Sequence, residues 1–551
     1  MNPLRHAAVL MISGLLCGSG SMLSAQTVDV LWVSFTDKAG TPYTLSNPRD
    51  FLTQAAIDRR LRFGITTDST DLPVNESYIS NTATVSNGTP WLASRWLNGV
   101  LLQTADSSVT AQIRALPYVA DCQWVTRFSN GWPYIKAQAP QVPGDATPAQ
   151  PVSMDATYYG GGWNQIHTCE GEFLHERGYE GQGMLIAVID AGFSGLYNNS
   201  YFEHLVSEGR IADRYSFLRN DTFITQDGDH GLRVLSVMAG YRPDAFVGTA
   251  PKARYALYQT DHQNTESFVE VYAWIAALER ADSIGADIVN NSLGYSIFDE
   301  SVHNFTTATL DGHSNLLSRM ANTGASKGML IVSSAGNEGN RPWKHILFPS
   351  DGDSVLAVGN TDAGKHIHYT SGKGPAGLSK PDVVAMGTNA RVINRISSIA
   401  PGNGASFATP VVSGLAACFW QLDRNRHPAE IRSLIRQYGH LGVNDSMQLY
   451  GYGVPDFKRM AQPYVSIKET APAAAITVYP NPSPGTITVS ASGERIIRYQ
   501  VINMTGKVLL QETLVPGRTT AEPDVSNLAP GIYTLLVYTD KAVSSSLFTR
   551  L

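Results

Sequence analysis

Gly404-Ala405-Ser406-Phe407-Ala408-Thr409-Pro410, running into Val411-Val412-Ser413-Gly414-Leu415-Ala416-Ala417, is the stretch that organises the chain. A glycine-bounded turn delivers one serine to the start of an apolar run that reads as a buried helix. The small residues allow backbones to crowd there. Pro410 is read as part of the first helical turn, whose amides have no helical partner to lose. Backbone N–H groups at a helix N-terminus also suit a developing oxyanion. Most serines in such a setting are plain helix caps. The decision therefore rests on whether partners for it occur elsewhere.

They do. Met184-Leu185-Ile186-Ala187-Val188-Ile189-Asp190-Ala191-Gly192 is an apolar run ending in a carboxylate, and Asp229-His230-Gly231 follows it. Asp190, His230 and Ser406 are the residue types of a nucleophile–base–orienter triad, in the order Asp, His, Ser. Ser334-Ala335-Gly336-Asn337-Glu338-Gly339 adds an amide side chain that can complete an oxyanion hole. With these four motifs, residues from about Tyr158 to Phe457 resemble the subtilisin-like serine peptidases, the subtilases. The resemblance implies peptide-bond hydrolysis on protein or peptide substrates. Ser406 would be the nucleophile, His230 the base, Asp190 its orienter and Asn337 the oxyanion donor. It also implies that Ser292-Leu293-Gly294 pairs with the substrate backbone as an added strand.

A chain of 551 residues is expected to hold two to four domains, and its 43% hydrophobic content is enough for real cores. A net charge of −6 supplies no basic surface for nucleic acid. Four cysteines are too few for a disulfide framework and lack metal-ligand spacing. A Cys169–Cys418 bridge is left open. Residues 1–25 carry Arg5 and His6, the apolar stretch Ala7–Leu16 and small residues ending Leu23-Ser24-Ala25, the pattern of a secretory signal peptide. Gly18 and Gly20 interrupt the run, which is short of the ~20 residues a membrane span needs. No membrane span is expected later in the chain.

Residues 26–150 read as a small α+β unit. Val30–Val33 is strand-like, and a helix is expected from Pro48, capped by Asn47, through Leu61 to Gly64. Tyr118–Ala120 to Trp124–Val125 forms a second strand, before a Pro- and Ala-rich linker, Ala139–Val152. The unit resembles the propeptides of exported subtilases, which implies an inhibited zymogen.

Residues 156–462 alternate strands and helices, the pattern of a parallel sheet covered on both faces. Strands are expected at Leu185–Ile189, Ala253–Tyr258, Asp287–Leu293 and Met329–Ser333. A helix is expected from Glu266 to Ile284, stopping at Gly285. Lys468–Ala475 reads as a linker. Beyond it, residues 476–551 show short alternating strands with turns at Asn481-Pro482, Gly506-Lys507 and Pro530-Gly531, a small β-sandwich. Val478-Tyr479-Pro480-Asn481-Pro482, Thr505-Gly506-Lys507, Asp524-Val525-Ser526-Asn527-Leu528 and Gly531-Ile532-Tyr533 resemble C-terminal sorting domains recognised by type IX secretion machinery. That resemblance implies passage through the periplasm to the surface or surroundings of a Gram-negative cell.

Three residues depart from the subtilase pattern: Ala405, Leu232 and Ala191 stand where threonine or serine is usual. None removes a triad atom. His366-Ile367-His368 would put two imidazoles on one strand face but offers no third metal ligand, and Asp227-Gly228-Asp229 reads as a turn into His230. No cofactor is required by the chemistry, and calcium, common in the resembled family, is assigned no ligand. An α/β-hydrolase esterase would need Gly-x-Ser-x-Gly and the order Ser, Asp, His. Here residue 408 is alanine and the order differs. The alternative reading is a non-catalytic surface adhesin on a subtilase fold.

Overall fold

Along Val28–Phe35 (β1) successive side chains serve two different cores. Val30 and Trp32 join the core shared with the domain that follows, while Leu31, Val33 and Phe35 pack with Tyr78 and Ile79 on the opposite face. The computed structural model describes residues 27–129, 154–443, 445, 449–465, 476–491, 493–503, 508–515, 517–540 and 543–551. The signal peptide, the linkers at 139–152 and 468–475 and the Gly506-Lys507 turn lie outside the described residues. The chain divides into two units, residues 1–463 and 464–551.

In the first unit, β1 lies between Gly99–Thr104 (β3) and Val119–Phe128 (β4), and Thr89–Ser94 (β2) pairs with β3, all antiparallel, in the order β2-β3-β1-β4. Helices Gln54–Phe63 (α1) and Glu76–Ser86 (α2) accompany the sheet, with a shorter helix at Thr110–Arg114. The single helix expected from Pro48 is broken. Asn47 spends its amide on Asp50 (2.9 Å) and caps nothing, so Pro48–Asp50 makes only a 3-10 turn. Thr53 then caps α1 by accepting from Ala56 N–H, and Gly64 ends it with φ 66°.

Seven parallel strands form the sheet of the larger domain. They are Leu185–Asp190 (β5), Ile211–Ser216 (β6), Arg254–Gln259 (β7), Ile288–Asn291 (β8), Leu330–Ser334 (β9), Val355–Thr361 (β10) and Val383–Met386 (β11). Their order is β11-β10-β9-β8-β5-β7-β6. Every residue of β5 is buried, as both-face coverage of a parallel strand requires. From β5 the chain builds one side with β6 and β7 and then crosses to build the other with β8 to β11, so the topological switch lies beside the C-terminal end of β5.

Helices cover the sheet, among them His230–Ala239 (α3), Val269–Ile284 (α4), Leu316–Ser326 (α5) and Ala405–Trp420 (α6). α4 begins three residues later than the periodicity suggests and stops as expected, at Gly285 with φ 84°. β8 ends at Asn291, so Ser292-Leu293-Gly294 lies beyond the strand. All sixteen residues of α6 are buried, and it crosses the sheet as a central helix. Pro410 sits in its second turn, not the first.

Two further expectations change. Cys122, Cys169 and Cys418 are free and buried, and the Cys418 thiol is occupied by the Thr249 carbonyl at 3.2 Å. His366 and His368 lie outside any strand, because Asp362 and Lys365 (φ 64°) fold the segment into a turn.

The second unit is all β. Ile476–Tyr479 (β12), Thr488–Ala491 (β13) and Thr520–Ala521 (β16) form one antiparallel sheet. Ile496–Ile502 (β14), Val508–Thr513 (β15), Gly531–Thr539 (β17) and Val543–Arg550 (β18) form the other. Ile487, Val489 and Ala491 share one core with Tyr499, Val501, Leu535 and Val537, a small sandwich.

Candidate active site

β5 delivers Asp190 at its last position, fully buried. His230 is the first residue of α3, which can approach β5 closely only because Gly231 follows. A Cβ there would lie 2.9 Å from Asp190 Cβ. Asp190 Oδ1 accepts from Ala191 N–H (2.8 Å) and pairs with His230 Nδ1 at 2.6 Å. This pairing leaves Nε2 as the free ring nitrogen. About a third of the His230 side chain, 34%, stays exposed. Burial pulls the imidazolium down, but the adjacent Asp190 carboxylate outweighs it and holds the His230 pKa above its usual value.

Ser406 is the second residue of α6, 6% exposed, and the next residue, Phe407, brings its ring to 5.7 Å from the His230 imidazole. Gly404 makes the turn possible. Its φ of 148° is rare for other residues, and a Cβ on it would sit 3.1 Å from both Ser406 Oγ and Asn337 Nδ2. Asn337, in the loop after β9, accepts from Ala405 N–H through Oδ1 at 2.9 Å. That bond leaves its Nδ2 to donate elsewhere, beside the serine hydroxyl.

Pro410 has consequences that the sequence reading missed. Lacking an N–H, it cannot serve the carbonyl four residues earlier, which belongs to Ser406. Ser292 Oγ takes the vacant place, donating to the Ser406 carbonyl at 2.9 Å. Asn290 Nδ2 holds Ser292 Oγ (3.2 Å), and Ser413 donates to Asn290 Oδ1 (2.8 Å). The Ser292 side chain is thus turned into the protein, while Leu293 and Gly294 stay partly exposed just past the C-terminal end of β8. The one clue in the sequence was the four-residue spacing of Ser406 and Pro410.

A buried carboxylate also stands near the pair. Burial pushes Asp261 up to about 7, against hydrogen bonds from Tyr295 (2.7 Å) and Thr260 (2.9 Å). Among the described residues no group of three or more His, Cys, Asp or Glu is placed to hold a metal. His366 binds Asp362 and His368 binds Thr370 instead of converging. Asp227 and Asp229 are paired with Arg219 and Arg233 around the turn into His230.

Residues 181–453 match Peptidase S8, the subtilase family. Subtilisin BL of Lederbergia lenta is 31% identical over 283 residues, spanning 51% of this chain and 91% of its own length. The chain belongs to the subtilase family. Subtilisin of Bacillus pumilus is 30% identical over 305 residues, covering 52% of this chain and 94% of that one. Among solved structures, the epidermin leader peptide processing serine protease EpiP of Staphylococcus aureus shares the fold. Its TM-score is 0.53 at 14% identity, over 81% of this chain and all of EpiP.

Two more regions match. Residues 30–141 correspond to the Peptidase S8 propeptide domain of Bacteroidota, and residues 477–548 to a secretion system C-terminal sorting domain. The protein is therefore a subtilase, a serine-type endopeptidase, with a propeptide and a sorting tail. The tail implies type IX secretion and a secreted or cell-surface enzyme. Among the described residues no helix is long and apolar enough to cross a membrane.

Proposed function

We propose that this subtilase hydrolyses peptide bonds through an acyl-enzyme on Ser406, and that it is made as a zymogen. His230 Nε2 takes the Ser406 proton as Oγ attacks the carbonyl carbon, and Asp190 stabilises the imidazolium that results. Asn337 Nδ2 and the Ser406 N–H hold the oxyanion. The imidazolium then protonates the leaving amine, and water, deprotonated by the same imidazole, releases the acyl group. Loss of one oxyanion donor costs about 10²–10³ in turnover, a value known from subtilisin, a relative of this chain. Leu293 and Gly294 would pair with the substrate backbone, with Ser292 behind them.

The observation that carries the reading is the 2.6 Å Asp190–His230 pair beside a serine at a helix N-terminus. The domain limits that follow are a signal peptide over residues 1–25, a propeptide over 26–150, a catalytic domain over 156–462 and a sorting domain over 476–551. Export would run through the periplasm of a Gram-negative cell. A serine-reactive fluorophosphonate should label the wild-type protein and fail on Ser406→Ala. Undiminished labelling of the variant would rule Ser406 out as nucleophile.

A further inference from the structure

Leu347 sits on a strap that joins the exits of two neighbouring strands. Its N–H donates to the Ala335 carbonyl at 3.3 Å, in the loop after β9. Next to it, Phe348 and Tyr295 exchange backbone hydrogen bonds of 3.0 and 3.2 Å, immediately after Ser292-Leu293-Gly294. The strap is held from behind, since Ile346 and Phe348 are fully buried. The Leu347 side chain faces both loops. A Cβ on Gly294 would lie 2.6 Å from Leu347 Cβ, and one on Gly336 would lie 2.7 Å from its Cγ. No other group fits between the leucine and either backbone. Leu347 nonetheless stays partly exposed, so it is the floor of an open gap.

Both loops border the reacting position. An acyl oxygen within reach of Asn337 Nδ2 places its own residue beside Gly336. Backbone pairing with Leu293 and Gly294 supplies the facing wall. The side chain of the residue whose carbonyl is attacked must then enter the gap that Leu347 floors. We infer that Leu347 restricts that residue to a small side chain: glycine, alanine or serine. The inference rests on Ser406 and Asn337 acting as nucleophile and oxyanion donor.

The size mismatch is large. One surplus methylene in an apolar pocket is worth about 10–200-fold in discrimination, and a phenylalanine exceeds alanine by a whole ring. The test compares kcat/KM for matched peptides carrying alanine or phenylalanine at the attacked residue, using protein matured from the full-length chain. Wild type should favour alanine by about 10-fold or more. Leu347→Gly, or Leu347→Ala should the first fold poorly, should move the ratio toward phenylalanine by a similar factor. A wild-type preference for phenylalanine overturns the inference. So does an unchanged ratio in a variant that still takes the fluorophosphonate label. Absence of label on wild-type Ser406 would instead overturn the catalytic reading, and this inference with it.

Discussion

Ser292 Oγ lies 2.9 Å from the carbonyl oxygen of Ser406 and donates to it, in the place that Pro410 leaves vacant. The bond ties the nucleophile's own peptide unit to the end of β8. Ser292→Ala would leave a buried carbonyl unsatisfied, at a cost of about 1–3 kcal/mol. The loss should fall on the placement of Ser406, so kcat should drop about 10-fold or more while KM changes little. A rise in KM at constant kcat would show that Ser292 acts on substrate.

His230 must be neutral to accept a proton. Burial lowers its pKa, the Asp190 charge raises it, and the net shift is upward. Arg233 opposes that shift and Asp229 adds to it. Activity should therefore fall as pH drops through a midpoint above the ordinary ~6.5 of histidine. Asp190→Asn removes the dominant raising charge, so the midpoint should move down while the rate falls by on the order of 10⁴. A midpoint that stays fixed in Asp190→Asn would remove His230 from the acid limb.

Local patterns were legible where one element decides its own outcome. The apolar run of β5 required burial on both faces, Gly285 marked the end of α4, and Asp190, His230, Asn337 and Ser406 stood out by type and order. What could not be read depends on partners far apart in the chain. Nothing in Asn47-Pro48 shows that Asn47 will bind Asp50 and forfeit its cap. The pairing of Ser292 with a carbonyl 114 positions away follows from Pro410 only once the helix is known to begin at Ala405. Leu347 is one leucine among many until the strap places it under two glycines.

The N-terminal domain is fastened to the catalytic domain by charge. Fully buried Asp282, near the end of α4, binds Arg59, Arg60 and Arg95 together. Burial raises the Asp282 pKa, but the three guanidiniums outweigh it and hold the carboxyl below its usual value. The sign follows: the stabilisation is complete above the ordinary carboxylate range and is lost only as pH falls through the lowered pKa. Asp282→Ala removes the carboxylate that the three guanidiniums share, leaving only Arg60 with an acidic partner, Asp71 at 2.8 Å, and should destabilise the unprocessed chain by about 3–5 kcal/mol. The matured enzyme, without those arginines, should lose far less. Equal losses in thermal melts of both forms would contradict this docking role.

Residues 476–551 contain their own core. Deleting Ile476–Leu551 should therefore leave a chain that still takes the fluorophosphonate label but is retained in the periplasm. Fractionation with labelling checks both halves. Normal release of the truncated enzyme would mean that the sandwich serves another purpose.

Maturation should be the chain's own work. The last strand of the N-terminal domain, β4, is docked on the loop that follows the proposed substrate-pairing segment. Thr126 donates to Glu300, and Trp124 stacks on His303 at 5.8 Å, both partners lying just beyond Ser292-Leu293-Gly294. The chain that leaves Phe128 therefore starts from a strand held against the loop that follows Ser292-Leu293-Gly294. A Pro- and Ala-rich linker follows in sequence. Ser406→Ala should accumulate as a full-length, exported and unprocessed protein. Active wild type added in trans should convert it, with cleavage between about Lys136 and Asp155, read by mass spectrometry of the new N-terminus. If the variant matures normally with no wild type added, self-processing is wrong. The N-terminal domain would then have to be removed by a different enzyme, and its docking through Asp282 would serve folding alone.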